Sequence, residues 1–475
     1  MTFSSTSPCR PAAILFCVIG GTVAFSYHAH QLRPLRLPGL MTQHDPPGHR
    51  QHRNPLFSVP PPSSAKTEPL QQQQQRNLIG VPSTPGWRRG QLDKLVSWAV
   101  NDQANRPIIR EYEPDSLWLW ARWTGTVLSL VWLPILVNMA IGVVVDIEVH
   151  HFAESSWPLL SVPPADDPLI QQLAGLNAAW EYQVTFSTFI LTFFTAEAYK
   201  HWRQVYFTTR AIQGRINDIC MLITMSAPPG DAAAEELVHR CTRLLRKGHS
   251  FFWAATPTVS DGLADEDDVD HRMYNVQEEE IGPMLLSAEG LRGLAQAGEL
   301  TKEEADALLS SGLPPTQYTY VLLEWVGLYF MEGLELEIIG HKNGQPNTGL
   351  EENVLRQLSM LRGEYFNIGD MCSGRMSLAY VQFVQVLVDV LVALAPFSLY
   401  SDMGSLSVPL TGLLTLFFKG LLELSKSFLD PFGVEGYPAQ NIRVDVLVSE
   451  LNFGAASRWV TAAKILPESP YSKKS

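Results

Sequence analysis

Cysteine is scarce in this chain. The 475 residues hold five, Cys9, Cys17, Cys220, Cys241 and Cys372, and no two form a CxxC pair. That scatter supplies neither a zinc site nor a disulfide framework. Basic residues are also in short supply: 35 Lys and Arg against 48 Asp and Glu give a formal net charge of -13, which argues against nucleic acid as a main partner. No P-loop, HExxH, GxSxG or GxGxxG pattern occurs. The common motif-borne enzyme chemistries are therefore missing, and neither an enzyme nor a cofactor is expected.

What is present is strongly segmented. Residues 1–25 read as a signal sequence, with Arg10, an apolar run from Ala12 to Val23 and small residues before Phe25. The run is too short for a spanning helix. Residues 26–90 read as a transit-like segment followed by a disordered linker. Arg33, Arg36, Arg50 and Arg53 face one acid, Asp45, and the later part is rich in Pro and Ser with a run from Gln71 to Gln75. A signal followed by a basic, acid-poor stretch beginning near Phe25 is similar to the two-part presequences of algae with secondary plastids. That implies a plastid membrane such as the thylakoid. A plain secretory signal with a disordered tail is the other reading, which points to the ER or plasma membrane.

From residue 91 the chain reads as all-α and multi-pass. Four apolar blocks, about 117–145, 178–200, 376–400 and 404–429, are the expected membrane helices, with a largely helical inside domain at 203–375 between the second and third and a polar tail at 451–475. The first block is uncharged from Trp123 to Val145, long enough for a bilayer that needs about 20 residues. Pro134 predicts a kink in it. The connector from Asp146 to Leu176 has no Lys or Arg, whereas Lys200, Arg203, Arg210 and Arg215 follow the second block. The positive-inside rule then puts the connector outside (lumenal) and the region after Lys200 inside. Within the domain, Thr301 and Glu304 form a capping-box pattern at a helix start. Asp261 to Glu280 is acid-rich but lacks the EF-hand ligand order, so it reads as a solvated loop.

The second block is the most informative. No charge falls between Glu181 and Glu197, a run of about 15 residues and short for a lipid-facing helix. Phe189 and Phe193 stand four apart in line with Thr185, while Phe186, Ile190 and Phe194 form a second ladder. Such a helix suits burial among other helices or the wall of a pore. Ionisable residues at membrane depth are costly and face a bundle interior, face water or pair. Asp389 in the third block and Lys419 in the fourth are a candidate pair; Lys419 could instead snorkel or contact an ion.

In this order the residues resemble the bestrophin family of anion channels. Arg122-Trp123-Thr124-Gly125-Thr126 resembles the family's Arg-Trp-x-Gly-Ser at its first helix. Leu191-Thr192-Phe193 ahead of His201-Trp202 resembles its second helix running into Arg-Trp. Asp430-Pro431-Phe432-Gly433, with Asn441 and Asp445 downstream, is similar to its Asn/Asp-Pro-Phe-Gly and following acid. The matches run from about 117 to 450. The resemblance implies a homopentamer in a lipid bilayer, conducting chloride or bicarbonate through an axial pore. It also implies a hydrophobic neck, carried here by Thr185, Phe189 and Phe193, a threonine standing where the family is apolar. Animal members hold a Ca²⁺ clasp of acids after their Pro-Phe-Gly. Here Glu435 alone remains of it, so a clasp is expected to be weak or absent. A non-conducting membrane scaffold that docks partners with the same fold is the alternative.

Overall fold

The computed structural model describes residues 86–100, 107–109, 112, 114–123, 125–153, 157–158, 161–256, 284–342, 345–433, 442–454, 461–462 and 465. The signal, transit-like and linker segments over 1–85, the acidic stretch 261–280, Asn441 and Glu435 lie outside them. The helices are α1 (Gly86–Val100), α2 (Ser116–Ala121), α3 (Val127–Phe152), α4 (Pro168–Ser226), α5 (Ala232–Ala255), α6 (Ala288–Gln296), α7 (Lys302–Ser310), α8 (Tyr318–Glu335), α9 (Thr348–Ser373), α10 (Leu378–Met403), α11 (Ser407–Leu429) and α12 (Val444–Gly454). One two-residue antiparallel pair, His341–Lys342 with Gln345–Pro346, sits between α8 and α9. Among the described residues, two stretches are long and apolar enough to cross a membrane, Val127–Phe152 and Leu378–Leu429, the second being α10 and α11 with the turn between them.

The helix boundaries correct the sequence reading in two places. The first block is broken: α2 ends at Ala121 and α3 starts at Val127. Gly125 turns the chain between them at φ 79, a left-handed conformation natural to glycine, and the Thr126 hydroxyl donates to Trp123 O at 2.8 Å. Pro134 lies inside α3, which continues past it to Phe152. Most substantially, the helix that holds the second block does not end near Lys200. The block is the middle of α4, a single helix of 59 residues and so about 88 Å long at 1.5 Å per residue. Its start carries a sequence signal: the Asp167 side chain accepts from Leu169 N as N-cap, and Pro168 fills the first helical position.

One pattern explains why α4 does not stop. Trp180, Ser187, Leu191, Phe194, Ala198, Val205, Thr209, Ile212, Ile216, Ile219 and Ile223 are all buried, at spacings of three, four or seven. That is a continuous heptad-like stripe along one side. Lys200 and Arg203 interrupt the sequence's apolar character but not this stripe, because they lie on the other side of the helix.

The stripe joins two cores. Its first half packs with α10 and α11 around Leu191, Phe194, Val388, Leu391, Phe418 and Leu422. The Trp180 indole N–H donates to Leu391 O at 2.8 Å. α11 also packs closely on α3 across glycines: a Cβ on Gly412 would stand 2.7 Å from Met139 Sδ, and one on Gly420 2.8 Å from Val127 Cγ1. Small residues of this kind let apolar helices approach. At the connector end, Tyr400 and Ser405 donate to Asp146 Oδ1 at 2.8 and 2.9 Å, and Asn177 donates to Asp402 at 2.8 Å. These contacts fasten α3, α4 and the α10–α11 turn together.

The second half of α4 enters a larger core built with α5, α8, α9 and α12. There His249 is fully buried. Trp253 Nε1 donates to its Nε2 at 3.0 Å and its Nδ1 meets Tyr365 Oη at 3.1 Å. The ring is therefore held neutral with its proton on Nδ1, and burial pushes its pKa down to about 3. The capping box forms in both directions: Glu304 N to Thr301 Oγ1 at 3.1 Å and Thr301 N to Glu304 Oε2 at 2.8 Å. Arg243 adds a two-pronged contact to the same carboxylate, 2.8 Å on each oxygen.

Asp430-Pro431-Phe432-Gly433 ends α11 and is buried throughout. The Phe432 ring packs 5.3 Å from Trp253, Pro431 O accepts from Ile442 N at 2.8 Å, and Gly433 turns the chain at φ 77. Gly433→Ala should cost about 1–2 kcal/mol through the left-handed backbone alone. Thermal unfolding in detergent checks it, and an unchanged midpoint would remove the claim that this glycine is conformationally required.

Candidate functional site

The side of α4 opposite its buried stripe is the candidate site. At about 100° per residue, Phe189 stands about 40° from Thr185 on one side and about 40° from Phe193 on the other, so the three span about 80°, while Leu191 and Phe194 point away from them. Exposure follows this geometry. Phe189 and Phe193 are 74% and 55% exposed in the single chain, and Phe194 is 0%. Thr185, Phe189 and Phe193 line one open groove together with Val184, Thr188, Thr192 and Ala196.

The second ladder divides. Phe194 packs inside, 5.8 Å and edge-on from Tyr380, and Ile190 is half-buried. Phe186 is 66% exposed in the single chain. Its position, about 60° from Phe189, leaves it on the shoulder of the exposed face.

The threonines were visible in the sequence, but their hydrogen bonding was not. Thr185, Thr188, Thr192 and Thr195 each donate to the carbonyl four residues back, Glu181, Val184, Thr188 and Leu191, at 3.2, 2.7, 2.7 and 2.8 Å. Each hydroxyl proton is spent on the helix backbone, leaving a methyl group and oxygen lone pairs. The groove thus presents aromatic rings, methyl groups and few free donors. Aromatic edges carry the positive rim of the ring quadrupole. Such a face can exclude water and tolerate a weakly hydrated anion. It holds no nucleophile paired with a base. Among the described residues, no group of three His, Cys, Asp or Glu could hold a metal ion.

The ionisable pair lies behind this face. Lys419 Nζ donates to Asp389 Oδ1, and Gln385 Nε2 donates to both Asp389 oxygens at 2.8 and 2.9 Å. Lys419 is 6% exposed, so it neither snorkels nor reaches the groove. The remaining motif residues sit at junctions. Arg122 and Trp123 precede the Gly125 turn, with Arg122 half-buried and Trp123 exposed. Trp202 stacks on Tyr199 at 6.2 Å and on Tyr206 at 5.8 Å where α4 leaves the first core for the second.

No family model matches the chain, and no curated protein does. Among solved structures, it is similar to a bacterial bestrophin homologue from Klebsiella pneumoniae solved by Zn-SAD phasing, at 14% identity over 68% of this chain and 96% of that one, TM-score 0.46. It is also similar to a point variant of that homologue, at 13% identity over 70% and 97%, TM-score 0.48. A second variant gives 14% identity over 71% and 99%, TM-score 0.47. These three solved structures are of a bacterial bestrophin homologue and two of its variants.

Proposed function

We propose that the chain is the subunit of a bestrophin-type anion channel, passing chloride, bicarbonate or both. Its four membrane helices would be the α2–α3 unit, the first half of α4, α10 and α11. A homopentamer places five copies of the Thr185, Phe189 and Phe193 face around one axis as a hydrophobic neck, in a plastid membrane such as the thylakoid.

The observation that carries this reading is the two-sidedness of α4. One side is buried continuously from Trp180 to Ile223. The other exposes Tyr182, Phe186, Phe189 and Phe193 among threonines, with Glu181 at one end and Lys200 at the other. The hydroxyls of Thr185, Thr188 and Thr192 on that face, each bonded to the helix backbone, suit a helix that faces copies of itself as well as lipid. Further copies of α4 around a narrow aqueous axis suit both its aromatics and its threonines. A ring of phenylalanines gates by dewetting.

Purified protein in planar bilayers should carry an anion-selective current, and opposing chloride with bicarbonate gives their ranking from the reversal potential. A monomer in mild detergent with no current would favour the scaffold reading. Within the neck, Thr185→Ile should lower conductance by drying the first ring, by less than the phenylalanine double variant described below raises it. Unchanged conductance would show that Thr185 is already dry, its hydroxyl being spent on Glu181 O.

A further inference from the structure

We propose that Arg203 forms an anion-collecting collar on the inside of the neck and contributes charge selectivity there. The inference rests on the channel reading above. It adds a site that the aromatic neck does not contain.

Helix register places Arg203 on the side of the neck residues. Arg203 is fourteen residues beyond Phe189, which at about 100° per residue returns it to within roughly 40° of the phenylalanine, the same meridian as Thr185. It lies ten residues past Phe193, about 15 Å further along the helix axis. Whatever surface Phe189 and Phe193 face, Arg203 faces its inward continuation.

Three basic residues are exposed on this side. Lys200 has Glu197 at 3.6 Å, and Arg210 has Glu450 at 2.9 Å. Among the described residues, Arg203 has aromatic rings instead of a carboxylate: its guanidinium carbon lies 5.9 Å from the Tyr199 ring centroid and 5.7 Å from that of Phe207. Rings orient a guanidinium without neutralising it. Arg203 is thus a positioned cation with free donors, on an exposed face. A ring of such groups is a standard way to build an anion-preferring pore. Arginine suits the task because its planar, weakly hydrated fork gives up solvent readily.

The distance decides what the collar does. About 15 Å exceeds the Debye length of about 8 Å at physiological ionic strength, so the charge scarcely reaches the Phe193 ring. It acts by raising the local anion concentration at the inner entry. Its effect should therefore be strong at low salt, weak at high salt, and confined to anions entering from the inside.

The test compares wild type, Arg203→Gln, Arg203→Lys and the Phe189→Ala, Phe193→Ala double variant in planar bilayers under potassium chloride gradients. Arg203→Gln should lower the chloride-to-potassium permeability ratio and the inside-to-outside chloride conductance by about threefold or more at low salt, with the loss vanishing at high salt. Arg203→Lys should keep most of both. If the double variant raises current while Arg203→Gln changes neither quantity, the collar is overturned and the neck stands. If no form conducts, or the double variant changes nothing, the channel reading fails and the collar with it. Should Arg203→Gln fail to assemble, Arg203→Cys is modified after assembly: a cationic thiol reagent should restore low-salt chloride conductance and an anionic one depress it further. Equal effects of the two would overturn the collar.

Discussion

Phe189→Ala combined with Phe193→Ala should raise the anion current of the purified protein by about tenfold, equivalent to about 1.4 kcal/mol off the barrier to passage. Two rings of large apolar side chains are removed from the same meridian of α4. Both phenylalanines are mostly exposed in the single chain, so the truncations open no internal cavity and should leave the fold intact. That separates this experiment from a core truncation such as Phe194→Ala, where a side chain with 0% exposure is lost at a cost of about 3–5 kcal/mol. The double variant should therefore unfold at the wild-type temperature while conducting more. A stable double variant with wild-type current would show that this face lines no passage. Destabilisation instead would show that the rings are buried between subunits.

The second large effect concerns stability. Lys419→Met leaves the Asp389 carboxylate without its cationic partner in a bundle of apolar helices, held by Gln385 alone. Breaking a buried pair from one side typically costs about 3–5 kcal/mol. Removing both members, as Asp389→Leu with Lys419→Met, should recover most of that loss, because the desolvation cost disappears along with the attraction. Thermal midpoints of the detergent-solubilised variants read the difference. A single variant as stable as wild type would mean the pair contributes nothing. A double variant that folds but no longer conducts would return Lys419 to the role of an ion contact.

Much of this arrangement was legible in the residues. The four-residue spacing of Thr185, Phe189 and Phe193 sets one face, and the facing Asp389 and Lys419 suggest a pair. The Thr301 and Glu304 pattern marks the helix that begins at Lys302. Other features needed three dimensions. The length of α4 was obscured because Lys200 and Arg203 look like the end of a span when read in sequence. They do not end the helix, since the buried stripe passes behind them to Ile223. Ladder spacing says which residues share a meridian but not how wide the exposed side is, so the 66% exposure of Phe186 needed the structure. Sequence placed the glycines of the two motifs near junctions, but their backbone angles say why they are glycines: Gly125 and Gly433 both turn the chain at positive φ.

The continuity of α4 has a mechanical consequence. Phe189 and Ile219 belong to one rod, with its proline at the first position and no break along its length. The heptad stripe is gripped by one core near Leu191 and by another near Ile216. Leu191 stands two residues from Phe189 on this rod, so a movement of the phenylalanines carries the first core with it. On the channel reading, a ligand that shifts the larger core would move the phenylalanines as a lever does, with the fulcrum near Trp202, where the rod passes between its two bearings.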